Sequence, residues 1–217
     1  MSLSGPRRAP HSGGAAKSLV ILCHGYGSNG DDLIGLVPHW ASLLPDTEFV
    51  APNAPQTVPG LAGAYQWFGI SNLDPKVIAQ GARSAGPVLD EFIDQELERT
   101  GLSADRLALV GFSQGTMLSL HVGLRRKQQI AGILGYSGAL ALPELLGQEM
   151  QSKPPVQLVH GDADDVLPVR FMVEALETLR GEGVDVRWHI SHRIAHSIDQ
   201  DGLSLGGQFL KEGLAIK

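Results

Sequence analysis

The sequence contains one cysteine, Cys23, among its 217 residues. A single thiol cannot form an internal disulfide, so the chain lacks the covalent cross-links of small secreted domains. This favours a reducing compartment, and the cytoplasm is the expected location. Residues 1–17 are rich in Ser, Gly, Pro and Arg and have no apolar stretch. That composition argues against a secretory signal and predicts a flexible N-terminal arm.

Long apolar runs and large basic blocks are also missing. No segment approaches the roughly 20 apolar residues that span a bilayer, so stable membrane insertion is not expected. Lys and Arg number 17 against 23 Asp and Glu, which gives a formal net charge of −6. The basic run 125–127 falls near a predicted helix C-terminus, where cations complement the helix dipole. Nucleic acid is therefore not an expected partner.

What the sequence does have is a regular alternation of short apolar runs with helical patterns. Its hydrophobic fraction of 43% suits one α/β domain over residues 18–217. The alternation predicts a mainly parallel sheet with helices on both faces and no separate cap domain. The active site of such a sheet lies at the carboxyl ends of the strands. Strands are predicted at 18–23, 47–51, 107–110, 130–136, 156–160 and 184–190, and helices at 31–43, 75–99, 114–126, 169–180 and 204–215.

Residues 107–116, LALVGFSQGT, carry the strongest chemical signal. An apolar run leads directly into Gly-Phe-Ser-Gln-Gly, and a helix-compatible segment follows. G-x-S-x-G between a strand and a helix is typical of the nucleophile elbow of serine hydrolases, a strained turn that exposes the hydroxyl above the sheet. Side chains at 111 or 115 would collide with backbone in so tight a turn. Ser113 is therefore the candidate nucleophile; the alternative is a turn that only connects packed elements.

A serine hydroxyl needs a histidine base, which a carboxylate orients. In this fold the expected chain order is Ser, then Asp or Glu, then His. Three carboxylates follow the predicted strand 156–160. Asp164 is favoured because it fits the spacing H-G-x-x-D-x-x-x-P of a hydrolase turn. Asp162 is the main rival, and at least one of these acids is expected to cap the following helix.

Three histidines follow Asp164 in the chain. His189 lies inside a predicted strand, where a structural role is favoured, and His192 lies near the end of that strand. His196 falls on the loop before the last helix, from which an imidazole can reach across the top of the sheet. We therefore predict His196 as the base and keep His192 as the alternative.

Hydrolysis also needs hydrogen-bond donors for the developing oxyanion. The residue after the nucleophile, Gln114, supplies one backbone N–H, and the first Gly-rich loop supplies the other. That loop is HGYG, 24–27, and Tyr26 is the predicted donor. The alternative is a generic glycine turn.

These motifs together resemble the phospholipase/carboxylesterase family of α/β-hydrolases, which includes acyl-protein thioesterases and small bacterial carboxylesterases. The resemblance implies the α/β-hydrolase fold, a triad of Ser113, Asp164 and His196, and Tyr26 and Gln114 as oxyanion donors. The chain departs from the family pattern at Thr116, where a glycine is frequent, and at Asp165, where a proline is frequent. The matching segments are HGYGSNGDD (24–32), APNAP (51–55), WF (67–68), GFSQG (111–115), HGDAD (160–164) and AHS (195–197).

The segment 59–70 resembles the loop that covers the acyl site in this family. The alternative for its two large aromatic residues is ordinary core packing. The candidates for the acyl groove are Leu61, Trp67, Phe68 and Ile70, with Leu167 opposite.

The sequence thus predicts a serine esterase that needs no metal or cofactor and that hydrolyses carboxylic esters or thioesters through an acyl-enzyme. The expected substrate is a small-molecule or lipid acyl ester, and an acylated protein is a further candidate. Thioesterase or lysophospholipase as the main activity is one alternative. Acyltransferase or peptidase chemistry and a non-catalytic binding module are the others. A homodimer is compatible with the sequence, which does not determine the oligomeric state.

Overall fold

The computed structural model describes residues 3–70 and 72–215. Short 3₁₀ turns in this part of the chain lie at Val37–His39, Ala104–Arg106 and Pro143–Leu145. The strands are β1 (Arg7–Arg8), β2 (Ser18–Cys23), β3 (Thr47–Val50), β4 (Gln56–Thr57), β5 (Tyr65–Gln66), β6 (Leu107–Phe112), β7 (Gly132–Tyr136), β8 (Val156–Gly161) and β9 (Val186–Ser191). The helices are α1 (Gly30–Ile34), α2 (Pro75–Thr100), α3 (Gln114–Gly123), α4 (Leu146–Glu149), α5 (Arg170–Gly181) and α6 (Gln200–Leu214).

One sheet organises the described residues, with strand order β1-β3-β2-β6-β7-β8-β9. Every neighbouring pair is parallel except β1 and β3, which are antiparallel. Strands β4 and β5 form a separate antiparallel hairpin. The mainly parallel sheet predicted from the sequence is confirmed, and the carboxyl ends of β2, β6, β8 and β9 lie at the same edge.

Strand residues alternate between two hydrophobic cores, because successive side chains of a strand point to opposite faces. On β2, Leu19 and Ile21 join the core that contains residues of α2, α3 and α5. Val20 and Leu22 join the core that contains residues of α1 and α6. Helices therefore cover both faces, as predicted. None of the helices within the described ranges combines the length and the apolar character needed to cross a membrane.

Two connections differ from the sequence-based expectation. The predicted helix 31–43 ends at Ile34 and continues only as a 3₁₀ turn, because Gly35 follows and Pro38 has no N–H to donate to a helical carbonyl. The predicted long connection 53–72 contains the β4–β5 hairpin. That hairpin was not predicted because its two-residue strands carry no hydrophobic pattern.

Residues 3–8 are docked on the sheet, in contrast to the flexible arm predicted for residues 1–17, and residues 1–2 of that arm lie outside the described part of the chain. Strand β1 pairs with β3, and Leu3 is buried. The Arg7 guanidinium binds both carboxylate oxygens of Glu96 on α2, at 2.6 and 2.5 Å, and Arg99 Nε donates to the same carboxylate at 2.9 Å. Burial disfavours the charge of Glu96, but these hydrogen bonds outweigh it and hold its pKa below the ordinary value. An Arg-Arg strand has no apolar residue that would have revealed this docking.

Arg7→Ala is expected to lower the free energy of unfolding by about 2 kcal/mol, less than the roughly 3–5 kcal/mol of a fully broken buried pair, because Arg99 still binds Glu96. Arg8→Ala is the matched control. Arg8 is exposed, and its side chain donates to the Arg7 carbonyl oxygen at 3.3 Å. Arg8→Ala should therefore lower the free energy of unfolding by less than about 0.5 kcal/mol. Urea unfolding of both variants tests the difference, and equal stabilities would contradict a docked arm.

Candidate active site

Ser113 occupies the sharp turn between β6 and α3, with φ 53° and ψ −114°. A non-glycine residue rarely adopts this backbone conformation, which costs on the order of 1–3 kcal/mol. The turn is tight enough to require both flanking glycines. A Cβ at Gly111 would lie 2.4 Å from the Thr116 nitrogen, and a Cβ at Gly115 would lie 1.9 Å from the Cys23 carbonyl oxygen. The predicted strand, strained turn and helix are all present.

Thr116, one of the departures from the family pattern, is accommodated by glycines of the neighbouring strand and its following turn. Its hydroxyl donates to the Tyr136 carbonyl oxygen at 2.8 Å. A Cβ at Gly135 or Gly138 would lie 2.5 or 2.3 Å from the Thr116 side chain. The Thr116 side chain therefore occupies space that side chains at Gly135 and Gly138 would otherwise fill, so it does not disturb the turn that holds Ser113.

Asp164 follows β8 and is buried, with its carboxylate fully enclosed. Its Oδ1 accepts the backbone N–H groups of Val166 at 3.0 Å and Leu167 at 2.8 Å. Its Oδ2 lies 2.7 Å from Nδ1 of His196. Because a carboxylate only accepts hydrogen bonds, Nδ1 carries the proton in this pair. Nε2 of a neutral His196 is then left free to accept a proton.

The rival acid and the rival histidine pair with each other. Oδ2 of Asp162 lies 2.7 Å from Nδ1 of His192, and Oδ1 accepts the Arg193 N–H at 2.6 Å. The hydrogen bond from His192 lowers the pKa of Asp162. The His192 side chain is 75% exposed, so this second Asp–His pair lies at the surface. His189 lies within β9, as predicted.

The loop that carries His196 packs closely on the turn that carries Asp164. A Cβ at Gly161 would lie 2.0 Å from the Ile194 carbonyl oxygen, and Ala163 donates to the same oxygen at 3.0 Å. The His196 ring rests on the ring of Phe112, with 4.9 Å between their centroids. Phe112 directly precedes Ser113, so this contact holds the imidazole beside the elbow.

A cavity of about 270 Å³ opens at this edge of the sheet. Ser113 and His196 both line it, together with four other residues that were predicted from the sequence. Its volume lies near the low end of ligand pockets, which span roughly 300–1,000 Å³, and suits a small acyl group. The lining residues are Tyr26, Ile70, Asn72, Leu73, Ser113, Gln114, Met117, Val166, Leu167 and His196.

Four of these lining residues were not predicted: Asn72, Leu73, Met117 and Val166. Met117 could have been found, because a residue four positions after Ser113 on a helix lies on the same face. The other three depend on how two irregular loops fold, and no periodic pattern specifies that.

Tyr26 and Gln114, the residues predicted to donate to the oxyanion, both line the cavity with Ser113. Gln114 is the first residue of α3, so its N–H has no partner within the helix. The positive end of the helix dipole lies at the same place. The loop that carries Tyr26 packs on the elbow, since a Cβ at Gly25 would lie 3.3 Å from Ser113 Cβ. These positions can stabilise negative charge beside the serine.

His24 holds that first loop in place and takes no part in the cavity. It is buried, its Nδ1 donates to the Gly25 carbonyl oxygen at 2.7 Å, and its Nε2 accepts the Ala54 N–H at 3.0 Å. Burial lowers the pKa of His24, so the ring stays neutral at physiological pH. A second hydrogen bond holds the loop, since the Asn53 side-chain oxygen accepts the Gly30 N–H at 2.7 Å. The APNAP segment thus positions the glycine loop.

Trp67 and Phe68 lie in the hydrophobic core, at 1% and 3% exposure, and this corrects their assignment to the groove. Their backbone instead ties the covering loop to the elbow. The Gln114 side chain accepts the Trp67 N–H at 2.8 Å and donates to the Phe68 carbonyl oxygen at 2.8 Å. Leu61 is 56% exposed and lies outside the cavity lining, whereas Ile70 and Leu167 are part of it.

Comparison with known proteins gives consistent results over almost the whole chain. A family model described as phospholipase/carboxylesterase matches residues 10–213. Acyl-protein thioesterase 1 of Saccharomyces cerevisiae is 29% identical over 215 residues, which cover 92% of this chain and 94% of the yeast protein. Esterase YpfH of Escherichia coli is 27% identical over 198 residues, which cover 90% and 83% of the two chains.

Solved structures of esterases and thioesterases also resemble this chain over almost its whole length. The crystal structure of esterase PE8 superposes with a TM-score of 0.94 at 47% identity, and the alignment covers 98% of this chain and 99% of PE8. Acyl-protein thioesterase 2 of Zea mays, at 20% identity, shares the fold with a TM-score of 0.78 over 97% of this chain and all of the maize chain. The protein is therefore a carboxylic ester hydrolase, and it belongs to the phospholipase/carboxylesterase family of α/β-hydrolases.

Proposed function

We propose that the protein hydrolyses carboxylic esters or thioesters through a Ser113–His196–Asp164 triad and an acyl-enzyme intermediate. One contact carries this assignment: Nδ1 of His196 lies 2.7 Å from Oδ2 of the buried Asp164, beside a cavity that Ser113 also lines. The alternative pair, Asp162 and His192, is exposed and does not line that cavity. The strained backbone of Ser113 supports the same assignment, since strain of this kind concentrates at functional sites.

In the first half of the reaction, Nε2 of His196 takes the Ser113 proton as the serine oxygen bonds to the acyl carbon. The carbonyl oxygen becomes an oxyanion, and the N–H groups of Tyr26 and Gln114 stabilise it. The bond from the acyl carbon to the leaving oxygen or sulfur then breaks. Nε2 returns the proton to that leaving group, and the acyl group stays on Ser113. Asp164 holds the imidazole tautomer and stabilises the imidazolium throughout.

In the second half, Nε2 takes a proton from water, and the hydroxide oxygen bonds to the acyl carbon. The same two N–H groups stabilise the second oxyanion. The Ser113 oxygen then leaves with the proton from His196, which releases the carboxylic acid and restores the enzyme. The apolar wall formed by Ile70, Leu73 and Met117 provides contacts for the acyl chain.

The relatives favour the substrate class without naming the substrate. The cavity accepts an acyl group next to Ser113 and leaves the leaving group at its mouth, where Tyr26 is 45% exposed and Val166 is 56% exposed. A protein thiol, a lysophospholipid or a simple alcohol can each occupy that position. Acyl-protein thioesterase and lysophospholipase activities would therefore use the same site and differ only in the leaving group.

Partitioning of the acyl group tests the proposed intermediate. Butyrate esters of p-nitrophenol and phenol and the butyrate thioester of thiophenol share one acyl group and differ in the leaving group. In buffer with added methanol, all three should give the same ratio of methyl butyrate to butyrate, because one acyl-enzyme partitions between methanol and water. Gas chromatography of the products measures the ratio.

The control is the same mixture without enzyme, which supplies the background of direct methanolysis. A ratio that changes with the leaving group would contradict a common acyl-enzyme. A ratio far above the methanol-to-water ratio would instead favour an acyltransferase on the same site, so the experiment also separates the main alternative.

Location and assembly are further parts of the proposal. The only thiol of the sequence is Cys23, and burial raises its pKa to about 12, so it stays protonated and unreactive. A chain with one unreactive thiol is compatible with the cytoplasm, which we keep as the proposed compartment. Formation of a homodimer stays a prediction from the sequence.

A further inference from the structure

A second histidine lies against the triad carboxylate and outside the cavity lining. His160, near the end of β8, is 1% exposed. Its Nε2 lies 2.7 Å from the Leu167 carbonyl oxygen and 3.2 Å from Oδ2 of Asp164. Its Nδ1 is buried and has no hydrogen-bond partner among the described residues. The mechanism above assigns no task to this ring.

The contacts of His160 determine its tautomer. Both oxygens near Nε2 can only accept, so Nε2 carries the hydrogen and Nδ1 carries none. Protonation would add an Nδ1–H with no acceptor, which is costly in a buried site. Burial also lowers the pKa of His160; the Leu167 and Asp164 contacts oppose this change, and the nearby His196 adds to it. His160 is therefore a neutral N–H donor, and Asp164 and His196 are the titratable groups that act on it.

His160 adds a shared donor beside Asp164. Oδ1 receives the N–H groups of Val166 and Leu167, and Oδ2 faces Nδ1 of His196 at 2.7 Å. The single Nε2–H of His160 is closer to the Leu167 carbonyl oxygen, at 2.7 Å, and its second neighbour is Oδ2 of Asp164, at 3.2 Å. Rotation of the carboxylate would lose the three full hydrogen bonds and this fourth, longer contact. A Lys or Arg in place of His160 would also hold the carboxylate, but its positive charge would oppose formation of the His196 imidazolium. A neutral ring avoids that repulsion.

We propose that His160 is a positioning residue for the triad: its N–H holds Oδ2 of Asp164 in the direction that His196 requires. The proposal depends on the triad proposed above. It adds that the basicity of the Asp164–His196 pair is set partly by a second ring N–H next to the same carboxylate oxygen. His160 touches neither the substrate nor the reacting atoms.

His160→Leu removes the donor and keeps an apolar side chain of similar size. We expect kcat to fall about tenfold because the carboxylate is less well oriented, and KM to stay within twofold because the cavity is unchanged. We also expect the midpoint of the acid limb of kcat/KM to rise by about half a pH unit to one unit. A carboxylate with one donor fewer stabilises the imidazolium more strongly.

His160→Gln tests the role of the donor directly, because its amide nitrogen can reach the position of Nε2. This variant should restore the acid-limb midpoint and most of kcat. His121→Leu is the control for removing a buried histidine, since His121 is buried on α3 and lies outside the triad. It should leave kcat and the midpoint unchanged. A merely structural role for His160 would lower stability in both Leu variants and would shift neither midpoint.

Spectroscopy of the wild-type enzyme keeps the proposal testable if His160→Leu does not fold. In ¹⁵N-histidine spectra, the signal that disappears in His160→Gln should show the neutral Nε2–H tautomer from pH 5 to pH 9. A charged ring or an Nδ1–H tautomer would overturn the proposal. So would a His160→Leu enzyme with wild-type kcat and acid limb.

Ser113→Ala, measured in parallel, separates the two proposals. If it stays active, the triad is wrong and the role of His160 falls with it. If it is inactive while His160→Leu behaves as wild type, the triad stands and only the inference about His160 fails.

Discussion

Ser113→Ala is expected to lower kcat/KM for ester and thioester hydrolysis by a factor on the order of 10⁵ or more. The change removes the oxygen that forms the acyl-enzyme and leaves His196 with no nucleophile to activate. The cavity and the N–H groups of Tyr26 and Gln114 remain. Residual catalysis from binding and oxyanion stabilisation should therefore persist, at roughly 10³–10⁴ above the uncatalysed rate.

A companion variant separates lost chemistry from lost folding. Ser113→Gly should be as inactive as Ser113→Ala, yet more stable than the wild type by about 1 kcal/mol. Glycine adopts the backbone conformation at φ 53° without the strain that a Cβ imposes, and this gain exceeds its extra entropy cost. An inactive but stabilised protein cannot owe its inactivity to unfolding. Urea unfolding measures the stability of both variants.

Ser119 provides the matched control, because it is a buried serine on the same helix and it lies outside the cavity lining. Ser119→Ala should keep wild-type activity. A fluorophosphonate probe should add one label to the wild type and to the Ser119→Ala enzyme and none to Ser113→Ala, as measured by intact mass. Substantial esterase activity or labelling in Ser113→Ala would refute Ser113 as the nucleophile.

Sequence reasoning reached the main features of this site because parallel strands bring their carboxyl ends to one edge. Ser113 and Asp164 each follow a buried parallel strand, so the sequence alone placed both at the same edge of the sheet. The preference for Asp164 over Asp162 came from motif spacing, and the structure pairs each acid with a different histidine. The hydrophobic pattern of a buried strand is easy to recognise in a sequence, so a residue that directly follows such a strand can be placed with it.

The parts that sequence reasoning missed depend on contacts between irregular segments. Trp67 and Phe68 were candidates for the groove because their segment resembles the loop that covers the acyl site in the family. In the structure, the Gln114 side chain anchors their backbone, and both side chains are buried in the core. The docking of the N-terminal segment depends on the pairing of β1 with β3 and on the ion pair between Arg7 and Glu96, which are far apart in the chain. No local pattern encodes such contacts. His160 was visible as part of a motif, but its orphaned Nδ1 is visible only in three dimensions.

Asp164→Asn is expected to lower kcat by about 10⁴, whereas Asp162→Asn should change it by less than about threefold. The reason lies in the donors around Asp164. The two backbone N–H groups of Val166 and Leu167 would hold the amide oxygen at the Oδ1 position. The amide NH₂ would then face His196 and donate to Nδ1. That hydrogen bond stabilises the tautomer with the hydrogen on Nε2, which cannot accept the Ser113 proton.

Asp162→Asn is a closely matched control, because Asp162 also accepts from a histidine Nδ1 at 2.7 Å and from a backbone N–H. Its histidine, His192, is exposed and lies outside the cavity lining, so a change of tautomer there reaches no reacting atom. Steady-state kinetics of both variants with one p-nitrophenyl ester, at a pH on the plateau of the wild-type profile, gives the comparison. The larger loss in Asp162→Asn would transfer the role to Asp162. Equal losses would mean that both pairs act only by holding the loop that carries His196, and the proposed triad would then lack its acid.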